Sequence, residues 1–255
     1  MIIPANPFKA ALKAGRPQIG IWGNLCSEVA ADIVATAGFD WIVIDMEHST
    51  NDLTDVVRLM RAFATSGTHV VVRPPSNDPV VVKRLLDQGV FSFLFPMVQS
   101  AEEAALAVSA CRYPPAGIRG VSLSHRGNAY GLARADYLAR AEAEITVLVQ
   151  IESRQALQAI DEIASVDGVD GVFFGPADLS ADFGLLGQPG HPEVVAAITD
   201  GIARLKALGK PAGTLTGSAE DARAWIKAGM VFVAAGTEQG VLAQGVRALR
   251  AAAAS

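Results

Sequence analysis

Two carboxylates in this sequence, Glu152 and Asp178, directly follow apolar runs that have the composition of buried strands. Carboxylate oxygens are hard ligands, and two of them, with the other positions left to water and substrate, suit Mg²⁺ or Mn²⁺. Gln150 lies two residues before Glu152, so both side chains point to the same side of their strand. Asp178 lies early in a predicted turn or helix, where free backbone N–H groups could hold a substrate carboxylate.

A histidine and an arginine follow two further apolar runs. His48 is the only histidine at a predicted strand end, and imidazole is a natural general base near neutral pH. Asp45 is expected to orient this imidazole and to stabilise the imidazolium. Arg73 can neutralise an oxyanion with its guanidinium. Because no lysine ends a predicted strand, a Schiff-base mechanism has no candidate nucleophile.

Each of these side chains also has a structural interpretation. Glu152 could interact with a helix dipole, and Asp178 could cap a helix. Arg73 could form a structural ion pair, and His48 could hydrogen-bond a neighbouring loop. Glu47 is interpreted as structural or as a support for its neighbours. All of them lie at the carboxyl ends of predicted strands, which favours one shared site over separate structural roles.

Short β-branched or aromatic runs alternate with longer amphipathic stretches along the chain. Continuously apolar strands are typical of a parallel sheet that is covered on both faces. The predicted strands are residues 19–23, 41–47, 69–74, 91–98, 145–152, 171–176, 211–216 and 230–236. The predicted helices are residues 25–37, 53–65, 78–88, 101–111, 154–164, 193–208, 219–228 and 241–253.

Eight such units in 255 residues predict an α/β fold, a TIM barrel that forms a single domain over residues 1–255. The alternative is a doubly wound open sheet. It is disfavoured because no strand is followed by a glycine-rich phosphate-binding loop. In a TIM barrel, catalytic residues lie at the carboxyl ends of the strands, where the polar residues described above are found.

Composition excludes several classes of protein. Hydrophobic residues make up 51% of the chain and charged residues 18%, which excludes intrinsic disorder. The net charge of −5 and the absence of a basic stretch argue against a nucleic-acid partner. Cys26 and Cys111 have neither disulfide-scaffold nor zinc-site spacing. No signal peptide or membrane span is recognisable, so we expect a cytoplasmic protein with no membrane partner.

Several segments closely resemble the HpcH/HpaI aldolase family over nearly the whole chain and in the same order. They are IDMEHS (44–49), VVRPP (71–75), LLDQGVFSFLFPMVQSAEEA (85–104), YPPAGIRG (113–120), VLVQIES (147–153) and VDGVFFGPADLSADFG (169–184). The family comprises class II, metal-dependent pyruvate aldolases of the 4-hydroxy-2-oxoheptanedioate and 2-dehydro-3-deoxyglucarate aldolase type. The resemblance implies a divalent metal cofactor, Mg²⁺, Mn²⁺ or Co²⁺, held by Glu152 and Asp178.

The resemblance also implies roles for other residues. His48 paired with Asp45 would form the base system, and Arg73 would stabilise the pyruvate enolate. Pyruvate would be bordered by Gln150, Trp22, Leu215 and the backbone of Gly175, Pro176 and Ala177. Arg126 would meet the distal part of the aldehyde, within a segment, residues 122–131, whose role in substrate binding the sequence does not reveal. Asp87 would reach the site of a neighbouring subunit in a homohexamer whose last helix is exchanged between partners.

The sequence therefore predicts a divalent-metal-dependent aldolase, a carbon–carbon lyase. It would reversibly cleave 4-hydroxy-2-oxo acids into pyruvate and an aldehyde through the pyruvate enolate. One alternative is a citramalyl- or malyl-CoA lyase or an oxaloacetate decarboxylase on the same barrel. A CoA lyase would need basic residues near the site, and no such cluster is present. A more distant alternative is a non-catalytic binding protein, in which some of the polar strand-end residues would be lost.

Overall fold

Each of the eight apolar runs forms a strand in the structure, a computed structural model in which residues 5–254 are described. The strands are parallel and pair in sequence order, and the last pairs with the first. They are β1 Gln18–Gly23, β2 Trp41–Asp45, β3 His69–Arg73, β4 Ser92–Phe95, β5 Thr146–Ile151, β6 Gly171–Phe174, β7 Ala212–Leu215 and β8 Phe232–Thr237. The predicted TIM barrel is confirmed, and residues 1–4 and 255 of the predicted domain lie outside the described residues.

Helices connect the strands and cover the outside of the barrel. They are α1 Pro7–Lys13, α2 Glu28–Ala35, α3 Leu53–Ala62, α4 Pro79–Asp87, α5 Ala101–Cys111, α6 Arg134–Glu144, α7 Arg154–Gln158, α8 Ile160–Ser165, α9 Pro176–Asp182, α10 Pro192–Ala207, α11 Ala219–Lys227 and α12 Glu238–Ala252, with a 3₁₀ helix at Arg126–Gly131. Most of the helices that follow strands begin at a side-chain cap; Ser100, for example, accepts a hydrogen bond from the backbone N–H of Glu103.

Alternate residues of each strand face the barrel interior and the surrounding helices. Trp22, Leu148 and Phe173 pack inside the barrel, whereas Val147, Val149 and Ile151 pack against the helices. Both faces are buried, which explains why the strands are continuously apolar. The same alternation places Gln150 and Glu152, two and four residues after Leu148, on the inner side at the carboxyl end of the barrel.

Some helices were not predicted from the sequence. Helix α6 is rich in charge and buries only Tyr137 and Ala141, so its apolar periodicity is weak. Helix α1 is short and begins with Pro7 in its first turn, a position that tolerates proline. The predicted helix over residues 154–164 is divided into α7 and α8 at Ala159. These differences leave the order of the strands unchanged.

The last helix, α12, has no buried residues in the single chain. Its exposed apolar side chains are Val241, Leu242, Val246 and Leu249. The predicted exchange of this helix between subunits stays a prediction. Among residues 5–254, no helix is long and apolar enough to cross a membrane.

Candidate active site

The carboxyl ends of β2 and β3 hold a buried ion pair. Asp45 and Arg73 are register partners on the two strands, and each is 5% exposed or less. Arg73 Nε donates to Asp45 Oδ1 at 2.8 Å, and Arg73 Nη2 donates to Oδ2 at 2.7 Å. This bidentate arrangement fixes the plane of the guanidinium, which also lies 4.8 Å from the centre of the Trp22 ring.

The Asp45 carboxylate accepts three further hydrogen bonds. Trp22 Nε1 donates to Oδ2 at 3.2 Å, and the backbone N–H groups of Glu47 and His48 donate to Oδ1 at 3.0 and 3.4 Å. Burial alone would raise the pKa of Asp45, but the hydrogen bonds and charge of Arg73 outweigh it and hold this pKa below its usual value. Asp45 is therefore an ionised anchor for Arg73 and for the turn that carries His48.

The sequence led us to expect a contact between the Asp45 carboxylate and the His48 imidazole. The structure does not show this contact. Both carboxylate oxygens of Asp45 already accept hydrogen bonds from Arg73, Trp22 and the backbone. The His48 side chain is 69% exposed, and its Nε2 lies 4.0 Å from Oε2 of Glu47. Glu47, which the sequence suggested was structural, is thus the carboxylate beside the imidazole. The missed signal is its position between Asp45 and His48 in a turn that folds back on the strand end.

Glu47 also contacts the guanidinium. Its buried Oε2 forms an ion pair with Arg73 Nη1 at 2.8 Å, and no group among residues 5–254 donates a hydrogen bond to it. Burial raises the pKa of Glu47, while the charges of Arg73 and His48 oppose that rise. One oxygen of Glu47 therefore lies between the cation and the imidazole and keeps unused acceptor capacity.

Glu152 and Asp178 come together at the ends of β5 and β6. Glu152 is 3% exposed, and its Oε1 accepts a hydrogen bond from the backbone N–H of Met97 at 2.9 Å. Desolvation, reinforced by the neighbouring Asp178 carboxylate, raises the pKa of Glu152 to about 8. Sequence analysis missed the Met97 amide, because its position depends on a residue with φ of 50°.

Gly175 makes room for the Glu152 carboxylate. A Cβ atom at this position would lie 2.6 Å from Glu152 Oε2, so any side chain would displace the carboxylate. Pro176 and Ala177 then begin helix α9, and Asp178 lies in its first turn. The predicted pyruvate border of residues 175–177 is thus adjacent to both carboxylates.

Gln150 provides an unpaired polar group below Glu152. Its side chain is 3% exposed, and its Oε1 has no hydrogen-bond partner among the described residues. Burying an amide oxygen without a hydrogen-bond partner costs free energy, so we expect this oxygen to bind a polar ligand or water. Trp22 belongs to the inner apolar cluster and Leu215 packs against it, and their role as walls of the site stays a prediction.

Negative charge exceeds positive charge at this end of the barrel. The carboxylates of Asp45, Glu47, Glu152 and Asp178 interact electrostatically around a single guanidinium, that of Arg73. Within residues 5–254, no group of three or more His, Cys, Asp or Glu side chains is arranged to hold a metal. Two acidic oxygen ligands with open positions, short of cations and partly desolvated, fit a hard divalent ion that completes its shell with water and substrate.

Two predicted site residues, Asp87 and Arg126, lie elsewhere. Asp87 ends helix α4, shortly before the amino end of β4, and its Oδ1 accepts a hydrogen bond from Arg119 Nη2 at 2.9 Å. Arg126 donates to the carbonyl of Gln88 in the same region. The single chain therefore does not bring either residue to the strand ends that carry Glu152. The predicted contribution of Asp87 to a neighbouring subunit stays a prediction.

The chain is similar to known proteins over most of its length. The sequence model of the HpcH/HpaI aldolase/citrate lyase family matches residues 18–245. The chain is 53% identical over 251 residues to the pyruvate aldolase of Rhizobium etli, covering 98% of each chain. It is 52% identical over 253 residues to the 4-hydroxy-2-oxo-heptane-1,7-dioate aldolase of Klebsiella pneumoniae, covering 96% of this chain and 93% of that relative.

A solved structure shows the same architecture. It is an HpcH/HpaI aldolase/citrate lyase family protein from Burkholderia cenocepacia, which superposes with a TM-score of 0.95 at 37% identity. The superposition covers 98% of this chain and 100% of that one. With a family match across most of the barrel and relatives above 50% identity over nearly the whole chain, this chain belongs to the HpcH/HpaI aldolase/citrate lyase family.

Proposed function

We propose that this chain is a divalent-metal-dependent pyruvate aldolase, a carbon–carbon lyase that cleaves 4-hydroxy-2-oxo acids into pyruvate and an aldehyde and catalyses the reverse addition. The observation that carries the proposal is the pairing of Glu152 and Asp178 at the same barrel end as Arg73 and His48. The names of the relatives, pyruvate aldolase and 4-hydroxy-2-oxo-heptane-1,7-dioate aldolase, support the same reaction class.

Glu152 and Asp178 would hold the metal, which we expect to be Mg²⁺, Mn²⁺ or Co²⁺. When bound, the ion would supply Lewis-acid stabilisation of negative charge on the 2-oxo acid. The raised pKa of Glu152 supports this role, because a carboxylate held beside another carboxylate is stabilised in its charged form by a cation. The unpaired Gln150 Oε1 and the backbone of residues 175–177 would border the bound pyruvate portion.

Arg73 would stabilise the oxyanion of the enolate. Its Nε and one N–H of Nη2 bind Asp45, and Nη1 faces Glu47. A guanidinium has five N–H groups, so donors on both Nη atoms are left for substrate. Because Asp45 fixes the guanidinium plane, these donors are oriented before substrate arrives, which is the condition for strong electrostatic stabilisation.

His48 would remove the proton of the 4-hydroxyl group. Its imidazole is exposed in the single chain and lies on the turn after β2. Loss of that proton allows the C3–C4 bond to break, with the bonding electrons passing to the pyruvate enolate. The aldehyde departs, and protonation of the enolate at C3 gives pyruvate.

The remaining expectations concern assembly and location. The exposed apolar side chains of α12 support a homo-oligomer in which this helix packs on another subunit, and a homohexamer is the form that we expect. Asp87 would reach the site of the neighbouring subunit in that assembly. Arg126 would meet the distal part of the aldehyde. We expect the enzyme to act in the cytoplasm on small-molecule substrates.

A screen for pyruvate release tests the proposal. Purified protein is incubated with 4-hydroxy-2-oxo acids that differ in their tails, with added Mg²⁺, Mn²⁺ or Co²⁺ and in parallel with EDTA. We expect metal-dependent release of pyruvate by the wild type and by Glu28→Gln, a surface control, and none by Glu152→Gln. Release that survives complete metal removal, or no release from any member of the series, would contradict the proposal.

A further inference from the structure

Arg119 and Asp87 form a second ion pair, at the end of helix α4 and away from the candidate active site. The Arg119 side chain is 1% exposed, and its guanidinium lies 4.5 Å from the centre of the Tyr113 ring and 5.4 Å from that of Tyr137. Burying a guanidinium costs free energy unless its charge is paired. Within residues 5–254, Asp87 is the only carboxylate that forms an ion pair with it.

Side chains from two other segments fix the position of Asp87. Arg119 Nη2 donates to Asp87 Oδ1 and to the Tyr137 hydroxyl, each at 2.9 Å. That hydroxyl donates to the backbone carbonyl of Leu86 at 3.3 Å, and His125 Nδ1 lies 3.1 Å from the carbonyl of Asp87. The other carboxylate oxygen, Asp87 Oδ2, forms no hydrogen bond or ion pair among residues 5–254.

The position of Asp87 is unfavourable for the helix that carries it. Asp87 is the last residue of α4, where a negative charge opposes the helix dipole. Its side chain is 20% exposed in the single chain, although the arginine that holds it is buried. A carboxylate that weakens its own helix and is nevertheless oriented by a buried cation is typical of a functional position.

We propose that Arg119 is a positioning residue that holds Asp87 through Oδ1 and leaves Oδ2 to face the site of a neighbouring subunit. This inference deepens the proposed function and rests on it, because Asp87 is expected to reach that site in the homo-oligomer. Arg119 itself touches no reacting atom. It orients the carboxylate before substrate arrives, as supporting residues do for a preorganised site. Its effect therefore belongs to the site of the other subunit.

A double-mutant cycle tests whether Arg119 acts through Asp87. Arg119→Gln should lower kcat for cleavage of a 4-hydroxy-2-oxo acid by about 10- to 100-fold, the usual effect of removing a supporting residue. In the Asp87→Asn background, the same replacement should have little further effect on kcat, because the carboxylate that Arg119 orients is gone. Arg112→Gln is the matched control. It removes another arginine of the same region, which pairs with Glu142 and Asp167, and should leave kcat unchanged.

Mixed oligomers give a readout that a purely structural role would not produce. His48→Ala lacks the base but keeps Arg119 and Asp87, whereas Arg119→Gln keeps its own site but presents Asp87 poorly. The two variants are co-expressed with different affinity tags and purified over both. In a random mixture about one site in four combines an intact site with an intact neighbour, so we expect about a quarter of wild-type turnover. Mixing Arg119→Gln with the double variant His48→Ala/Asp87→Asn should restore nothing.

Size-exclusion chromatography and thermal unfolding establish that each variant is folded and assembled. If Arg119→Gln does not fold, Arg119→Lys takes its place, because the ammonium keeps the buried charge but cannot reproduce both contacts of Nη2. It should show a weaker defect and the same recovery in mixed oligomers. Additive losses in the cycle, or mixed oligomers no more active than their parents, would overturn the proposal. Absence of pyruvate release by the wild type would instead refute the proposed reaction.

Discussion

The two ends of the barrel bury polar side chains in opposite ways. At the amino end, the Asn6 amide donates to Ser92 Oγ and Thr146 Oγ1, each at 3.0 Å, and to the carbonyl of Glu144 at 2.8 Å. His69 Nε2 lies 2.8 Å from the same Ser92 Oγ. These side chains fill the amino end of the barrel, and their donors and acceptors form hydrogen bonds with one another.

The carboxyl end is left incomplete. Gln150 Oε1 and Glu47 Oε2 are buried without hydrogen-bond donors among residues 5–254, and Glu152 has a pKa raised to about 8. Carboxylates there outnumber the cationic groups, with Arg73 shared between two of them. Buried polarity therefore does not by itself mark a functional site. A surplus of carboxylates beside an unpaired amide oxygen does, because a bound cation, a polar ligand or water would balance it.

Metal removal should give the largest effect, because the metal would supply the positive charge that the carboxyl end of the barrel lacks. We expect chelation to abolish pyruvate release and Mg²⁺, Mn²⁺ or Co²⁺ to restore it. Glu152→Gln and Asp178→Asn should lose both aldol cleavage and oxaloacetate decarboxylation. Borohydride added with pyruvate should trap no adduct, because none of the strands described within residues 5–254 ends in a lysine. A covalent pyruvate–lysine adduct in the mass spectrum would contradict the metal-dependent mechanism.

Replacing the base should affect one reaction much more than the other. His48→Ala should lower aldol cleavage by about 10²- to 10⁴-fold, the usual contribution of general base catalysis. Decarboxylation of oxaloacetate should be far less affected, because no hydroxyl proton has to leave. Metal affinity, measured by calorimetry, should be unchanged. If both reactions fell equally with metal still bound, His48 would be an organiser of the site rather than its base.

Loss of the oriented cation should be the next largest effect. Arg73→Ala should lower turnover by about 10²- to 10³-fold, as is typical when a preorganised charge facing an oxyanion is removed. Arg73→Lys should restore little, because an ammonium cannot reproduce the bidentate contact with Asp45. Thermal unfolding must be followed in parallel, since Arg73→Ala leaves a buried carboxylate unpaired. Near-normal turnover in Arg73→Ala would assign this arginine to structure alone.

The barrel was predictable because its physical causes are local. Strands buried on both faces are continuously apolar, and polar residues that follow such strands at one end must lie close together in a closed barrel. The predicted family and fold are confirmed. Helix α6 was missed because it buries only Tyr137 and Ala141, which pack against Phe91 and Tyr113.

The partners within the site could not be predicted from spacing. The chemistry of the two residues and the family resemblance led us to expect that Asp45 orients the imidazole of His48. In the structure, the chain turns so that the backbone N–H of His48 points to Asp45 and the imidazole points away. Which carboxylate meets the imidazole depends on that turn and on competition from Arg73. The predicted roles of Asp87 in a neighbouring subunit's site and of Arg126 at the distal part of the aldehyde stay predictions.

The unbalanced charge should also reduce stability when no metal is bound. Glu152 has a folded pKa of about 8, above its usual 4.5, so the metal-free protein should lose stability as pH rises between these values. Glu152→Gln removes this loss. At pH 8.5 its unfolding midpoint in EDTA should exceed that of the wild type by about 5 °C. At pH 4 the two should unfold together. Equal unfolding midpoints of the wild type and Glu152→Gln at pH 8.5 would contradict the proposed repulsion.

The smallest effect should come from the amino end, and it should leave activity untouched. His69 stacks on Phe8 with ring centroids 5.5 Å apart, and desolvation lowers its pKa to about 4 from 6.5. Because the folded pKa is depressed, the stability that the neutral ring contributes is present above pH 6.5 and is lost as pH falls towards 4.

His69→Gln keeps a polar group facing Ser92 but has no proton to take up. Between pH 7.5 and pH 5, the wild type should lose about 1–2 kcal/mol more stability than His69→Gln, measured by urea unfolding at both pH values. The turnover of His69→Gln at pH 7.5 should equal that of the wild type, because the amino end of the barrel makes no contact with substrate. Parallel pH dependence in the two proteins would mean that His69 is not the group that titrates. If turnover fell in His69→Gln, the two ends of the barrel would be coupled. The hydrogen-bonded side chains at the amino end would then contribute to the active site.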